Sequence, residues 1–222
     1  MTTTKPIFDP DCRRCPRLSD FLDQIKRTYP DYHARPVAPF GVDDPALLIV
    51  GLAPGMHGAN ATGRPFTGDH AGILLYQTLY DFGFSSAPTS VSADDGLVLI
   101  DCRITNAVKC LPPQNKPSPE EIRTCNVYLQ AELAGLSPGA CVLALGTIAH
   151  HAVLRALGLK LKDYPFEHNS LRQLPDGKSR SIYLLDSYHC SRYNTQTRRL
   201  TAEMFQAVFA QARKRVKASR RR

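Results

Sequence analysis

Four of the seven cysteines have the spacing of a metal centre. Cys12 and Cys15 form a C-x2-C pair, and Cys110 and Cys125 follow far downstream with fourteen residues between them. Four thiolates hold either a structural zinc or a four-iron cluster. A zinc ribbon favours a second C-x2-C pair, which is missing. The wide interval after Cys110, with Pro112 and Pro113 close behind it, suits the larger cluster. Plain burial without a metal is the competing reading for Cys110 and Cys125. Cys102 and Cys141 sit inside apolar runs and read as small buried hydrophobes. An odd cysteine count and the lack of an apolar leader after Met1 argue against a disulfide framework.

The second chemical signal is the run Gly51-Leu52-Ala53-Pro54-Gly55 and its continuation to Asp69, with five glycines and two prolines in nineteen residues. Glycine admits a ligand close to the backbone and proline stiffens the loop. Exposed N–H groups in such a loop bind a phosphate or a carbonyl oxygen. No Gly-Lys-Ser/Thr follows, so this is not a Walker phosphate loop, and the glycine spacing does not fit a dinucleotide fingerprint. Phe66 stands among these glycines. It either plugs the core beneath the loop or offers its face to a flat ligand such as a base.

These residues need a frame to bring them together. Apolar runs alternate with helix-period segments, the pattern of a three-layer α/β/α fold around a short, mainly parallel sheet of about four strands. Strands are expected at Leu47 to Val50, about Leu97 to Asn106, Cys141 to Leu145, and Ser181 to Leu185. One helix is expected from about Ala71 to Phe82. Another should run from Pro119 to Leu133, with Ser118 as its cap and Glu120 and Glu121 in the first turn. A third should follow a Thr147 cap to Leu157, and a last one should run from about Arg199 to Val216. The polar stretch 158–180 reads as a hairpin or excursion. In sheets of this kind the ligand site lies at the carboxyl ends of the strands. The glycine-rich loop, Thr105-Asn106 and the segment from His189 should therefore line one cavity. The chain has no repeat or long linker, so residues 1–222 are expected to form a single domain, with 213–222 as a flexible basic tail.

The net charge is +8, concentrated in Arg213-Lys214-Arg215, Lys217 and Arg220 to Arg222, and again in Arg192, Arg198 and Arg199. Such clusters suit a polyanion, because each cation that meets a phosphate releases counterions; a solvated helix face is the plainer alternative. The longest apolar runs are too short to span a bilayer. A cytoplasmic or nucleoid-associated protein with no membrane partner is expected.

Four segments carry a resemblance to one family. They are Gly51 to Gly55, Gly63-Arg64-Pro65-Phe66-Thr67-Gly68-Asp69, Ile104-Thr105-Asn106-Ala107-Val108-Lys109-Cys110, and His189-Cys190-Ser191 with Asn194-Thr195-Gln196-Thr197. In this order they resemble the motifs of the family-five uracil-DNA glycosylases of bacteria and archaea, and the likeness runs from Cys12 to about Thr201. The cysteine quartet matches the pattern on which that family, like family four, carries a structural [4Fe-4S] cluster. The resemblance implies a DNA repair enzyme acting on its own as a monomer. It would flip a deaminated nucleotide out of the stack and hydrolyse its N-glycosidic bond, releasing uracil or a base such as hypoxanthine and leaving an abasic site.

The pocket so implied has Gly51, Ala53 and Gly55 as its floor and Phe66 stacked on the base. Asn106 would read the O4 and N3–H edge. His189 would donate to O2, where negative charge gathers as the bond lengthens. Leu52 stands where family four has an acidic residue, so Asp69 is the implied water-orienting carboxylate, with His57 and Asn60 as secondary candidates. The loop after His189 would enter the minor groove with Arg192 or Tyr193 as the wedge, and Ser191 and Thr195 on flanking phosphates. Two residues depart from the usual pattern: Cys190 replaces Pro and Arg198 replaces Gly. Arg198 would add a charge near the DNA. An alternative of the binding class is an iron–sulfur protein that captures uracil DNA without turnover or through a covalent histidine link. The branch that does so has a basic insertion before its histidine, absent from Asp186-Ser187-Tyr188-His189.

Overall fold

The computed structural model describes residues 8–175 and 181–220. In chain order the elements are α1 (Pro16–Thr28), β1 (Phe40–Gly41), β2 (Leu47–Gly51), α2 (Ala59–Thr62), α3 (His70–Asp81), β3 (Cys102–Asn106), α4 (Pro119–Ala134), β4 (Cys141–Leu145), α5 (Thr147–Ala156), β5 (Leu171–Pro175), β6 (Ser181–Ser187), α6 (Arg192–Gln196) and α7 (Ala202–Ser219). Every residue of β2 and β4 is buried, which explains why these strands are unbroken apolar runs and do not alternate. The strand order is β1-β3-β2-β4-β6-β5. The four expected strands form its parallel centre, and the antiparallel β1 and β5 are added at the two edges. The polar stretch before Arg180 supplies β5, which pairs with β6 as a hairpin partner.

Successive residues of β2 feed opposite layers, as strand geometry requires. Leu48 and Val50 pack with α1, α4 and α5; Leu47 and Ile49 pack with α3 and α7. The three-layer α/β/α expectation holds. α4 opens with a complete capping box: Ser118 accepts from the Glu121 N–H, and Glu121 accepts in return from the Ser118 N–H.

Several boundaries differ from expectation for local reasons. β3 begins at Cys102, not near Leu97, because Asp101 takes a left-handed φ of +56° that breaks the strand. Leu97 and Leu99 are buried as a loop instead. Gly146, with φ of +92°, is the cap of α5, and Thr147 is its first residue. α7 starts at Ala202, with Thr201 accepting from the Met204 N–H. The basic run from Arg213 is no loose tail in its first part. It continues α7 to Ser219, with Val216 buried, Arg213 over the Phe84 ring and Arg215 over the Tyr183 ring. The last two arginines lie outside the described residues.

Candidate active site

The carboxyl ends of β2, β3 and β6 open onto a cleft of about 450 Å³. Its lining includes Leu52, Ala53 and Gly55 after β2, Phe66, Asp69 and His70 from the glycine-rich loop and α3, Asn106 at the end of β3, and His189, Ser191 and Arg192 after β6. Three segments far apart in sequence thus meet at one place, as the strand-end argument requires.

Gly51 sets the spacing in this cleft. A Cβ there would lie 2.4 Å from Asn106 Oδ1 and 2.7 Å from Phe66 Cζ, so only hydrogen lets both groups close in. Phe66 is 6% exposed and holds a left-handed φ of +55°, a costly conformation for an aromatic residue. Its surroundings fix it. Its carbonyl oxygen lies against Gly72, where a Cβ would overlap it; Tyr76 Oη donates to Pro65 O at 2.9 Å; and buried Arg64 pairs with Asp95 at 2.6 Å. The Phe66 and His189 rings lie near-parallel, their centroids 5.9 Å apart.

Asn106 is buried, and its Oδ1 has no hydrogen-bond partner. A buried acceptor left unpaired costs ~1–3 kcal/mol, a cost that a ligand N–H would remove. Burial pushes the His189 imidazole down to about 4, so at neutral pH the ring is uncharged and offers one N–H. Asp69 caps α3, accepting from the Gly72 N–H at 2.9 Å through Oδ1. Burial raises its carboxyl above the ordinary value, opposed by the N–H groups of Gly72 and Ala71 and by nearby His70. Oδ2 lies against Gly55 and Gly58, whose missing Cβ atoms leave it room.

The secondary candidates are elsewhere. His57 is exposed, with Nδ1 2.7 Å from Tyr32 Oη, and Asn60 is wholly buried, donating weakly to Met56 O; neither lines the cleft. Beyond His189, Ser191 caps the short α6, Arg192 edges the cleft, and Tyr193 is 70% exposed. Thr195 Oγ1 is turned inward, toward His70 Nε2 at 3.1 Å. Arg198, at φ of +56°, borders an adjoining groove. Cys190 is fully buried, its thiol pushed up by burial and by neighbouring Asp69, so it presents no free thiol to solvent.

Cys12, Cys15, Cys110 and Cys125 line a single narrow cavity between α1 and α4. The Lys109 N–H points at Cys125 Sγ, 3.3 Å away. Among the described residues, no three His, Cys, Asp or Glu side chains converge as the ligands of one ion do.

Residues 38–213 match the sequence model of the uracil DNA glycosylase superfamily. The chain is 46% identical over 208 residues to the type-5 uracil-DNA glycosylase of Thermus thermophilus, covering 91% of this chain and 93% of that protein. The type-5 enzyme of Mycobacterium leprae is 42% identical over 91% of this chain and 90% of its own length. That of Pyrobaculum aerophilum is 40% identical over 91% and 88%. The chain belongs to the uracil-DNA glycosylase superfamily.

Two polar residues of this cleft escaped the sequence reading. His70 and Asn115 both line it. Asn115 comes from the proline-rich loop after Cys110 and has a φ of +56°. Its only advance signal was an Asn inside a turn-forming run. His70 stood beside Asp69 at a helix start, a position read only for its carboxylate.

Proposed function

We propose that the protein hydrolyses the N-glycosidic bond of uracil in DNA, leaving an abasic site. The observation that carries this reading is the unpaired, buried Oδ1 of Asn106 on a cleft wall shared with Phe66 and neutral His189. That oxygen accepts the N3–H of a flipped uracil, and the amide nitrogen donates to O4. Cytosine inverts both positions and is refused. As N1 separates from C1′, the bonding pair moves onto the base and charge gathers at O2, where the His189 N–H receives it. Water adds its oxygen to C1′ and its proton passes through Asp69 to the departing base anion, so the products are the neutral free base and a sugar hydroxyl. Leu52 is inert, and Asp69 is the carboxylate at hand.

Arg192 edges the cleft and Tyr193 is largely exposed, so these two are the residues that would occupy the gap left by the flipped base. With Leu52 giving an apolar wall, hypoxanthine also belongs in the substrate range. Single-turnover cleavage of uracil, hypoxanthine, thymine and cytosine opposite each base tests the reading. Uracil should be cut fastest and cytosine untouched, and Asn106→Ala should lose at least a hundredfold. Equal cutting of cytosine, or an SDS-resistant protein–DNA band without base release, would refute it.

Cys12, Cys15, Cys110 and Cys125 would hold a [4Fe-4S] cluster, which ties the N-terminal segment and α1 to α4. Four thiols lining one cavity, with a single C-x2-C pair among them, support a cluster over a zinc ribbon. Protein purified without air should be brown and carry about four irons; a colourless preparation with one zinc would decide against it.

A further inference from the structure

α6 is five residues long and buries none of them. A helix that short cannot hold itself in place, so its position depends on tethers. Two of these are local: Asn194 Nδ2 donates to His189 O at 2.8 Å, and the Leu200 N–H donates to Asn194 O at 3.0 Å. The third ties α6 to α3 beside the cleft, between Thr195 Oγ1 and His70 Nε2 at 3.1 Å. His70 is the first residue of α3, next to Asp69, and its side chain lines both the cleft and the adjoining groove walled by Ile73, Gln77 and Arg198.

The direction of this bond follows from counting hydrogens. Thr195 Oγ1 lies 3.2 Å from Ser191 O and 3.0 Å from Arg192 O, and both carbonyls can only accept. With its single proton directed to one of them, the oxygen accepts from His70 in the tautomer that carries Nε2–H. The bond joins the segment that carries Asp69 to the segment that carries His189, Arg192 and Tyr193.

We propose that His70 is a positioning residue, a latch that fixes α6 at the mouth of the cleft before DNA arrives. Its effect on DNA rests on the glycosylase reading; its effect on α6 does not. His70→Phe keeps a flat ring and removes the donor, whereas His70→Gln returns an N–H at similar reach. In DNA-free protein, amide exchange at residues 193–197 should quicken several-fold in His70→Phe and stay near wild type in His70→Gln. In cleavage assays His70→Phe should raise KM for uracil DNA about three- to tenfold, the weight of one hydrogen bond, with a much smaller change in the saturated single-turnover rate. Thr195→Val removes the acceptor and should reproduce the exchange result; the double variant should add nothing further.

Unchanged exchange in both His70→Phe and Thr195→Val would overturn the latch. So would a Gln variant as loose as the Phe variant. If the wild-type protein released no uracil, the functional reading would fail while the exchange data still decided the latch.

Discussion

Gly51→Ala is the sharpest single test of the cleft. The added methyl would stand 2.4 Å from Asn106 Oδ1, 2.7 Å from Phe66 Cζ and 2.8 Å from Phe66 Cε2, where ordinary contact begins at about 3.4 Å. The amide must withdraw by about 1 Å and the ring by about 0.7 Å. Neither moves freely: Phe66 is clamped between Gly72 and the Tyr76–Pro65 bond, and Asn106 ends a buried strand. Overpacking of this kind destabilises by ~1–3 kcal/mol, which a thermal melt reads. For a chain of this size it lowers Tm by roughly 2–10 °C. The catalytic cost is larger, because a reading group displaced by ~1 Å loses about a hundredfold in rate. Single-turnover uracil release at a temperature well below both melts separates the two effects. A folded Gly51→Ala protein cutting within threefold of wild type would show that Asn106 and Phe66 do not form the reading wall.

Asp69→Asn should slow single-turnover cleavage by about 10²–10⁴-fold while leaving DNA affinity within a few-fold, measured by binding to an uncleavable uracil analogue; a wild-type rate removes Asp69 from the mechanism. The cleavage rate should be flat through pH 6.5, the ordinary imidazole value, because His189 stays neutral down to about 4. It should fall only at lower pH, as His189 gains a proton and Asp69, whose carboxyl lies above its usual range, loses its charge. A tenfold drop per pH unit that begins at pH 6.5 would contradict this, because it would mark an imidazole titrating at its ordinary value. Arg198→Gly relieves a left-handed φ worth ~1–2 kcal/mol and loosens the unfolded chain by ~0.4–1 kcal/mol, so Tm should rise by roughly 1–3 °C. The same change should make DNA binding less steep in salt by about one counterion; a lowered Tm with an unaltered salt slope would refute both parts.

The centre of the fold was readable because buried parallel strands announce themselves: Leu47 to Val50 and Cys141 to Leu145 have no polar residue to confuse them. The edges were not. β1 is two residues long, and β5 carries Arg172, Gln173 and Pro175, so neither has an apolar period. α1 had one, in Leu18, Leu22 and Ile25, but its start is crowded with the cysteines that drew a chemical reading first. Within the cleft, the strand-end argument made the meeting of the glycine-rich loop, Asn106 and the His189 segment legible, while the roles of those residues rested on the resemblance to the family-five motifs. His70 was not legible, because its role lies in a bond to Thr195, 125 residues away, and nothing local in the sequence encodes that distance.

Cys190 and Arg198, the two residues at which the resemblance to the family-five motifs breaks, lie on either side of α6. Proline after His189 would stiffen the chain by fixing φ. Cys190 gives up that restriction but buries its side chain completely behind Asp69, so the loop keeps its anchor in the core. Three hydrogen bonds hold the segment that follows: Asn194 Nδ2 to His189 O, the Asn194 N–H to Ser191 Oγ, and His70 to Thr195. Arg198 occupies a backbone conformation that glycine would take without strain, and it does so where a positive charge faces the groove beside the cleft. Neither Cys190 nor Arg198 is part of the cleft lining that Asn106, Phe66 and His189 share.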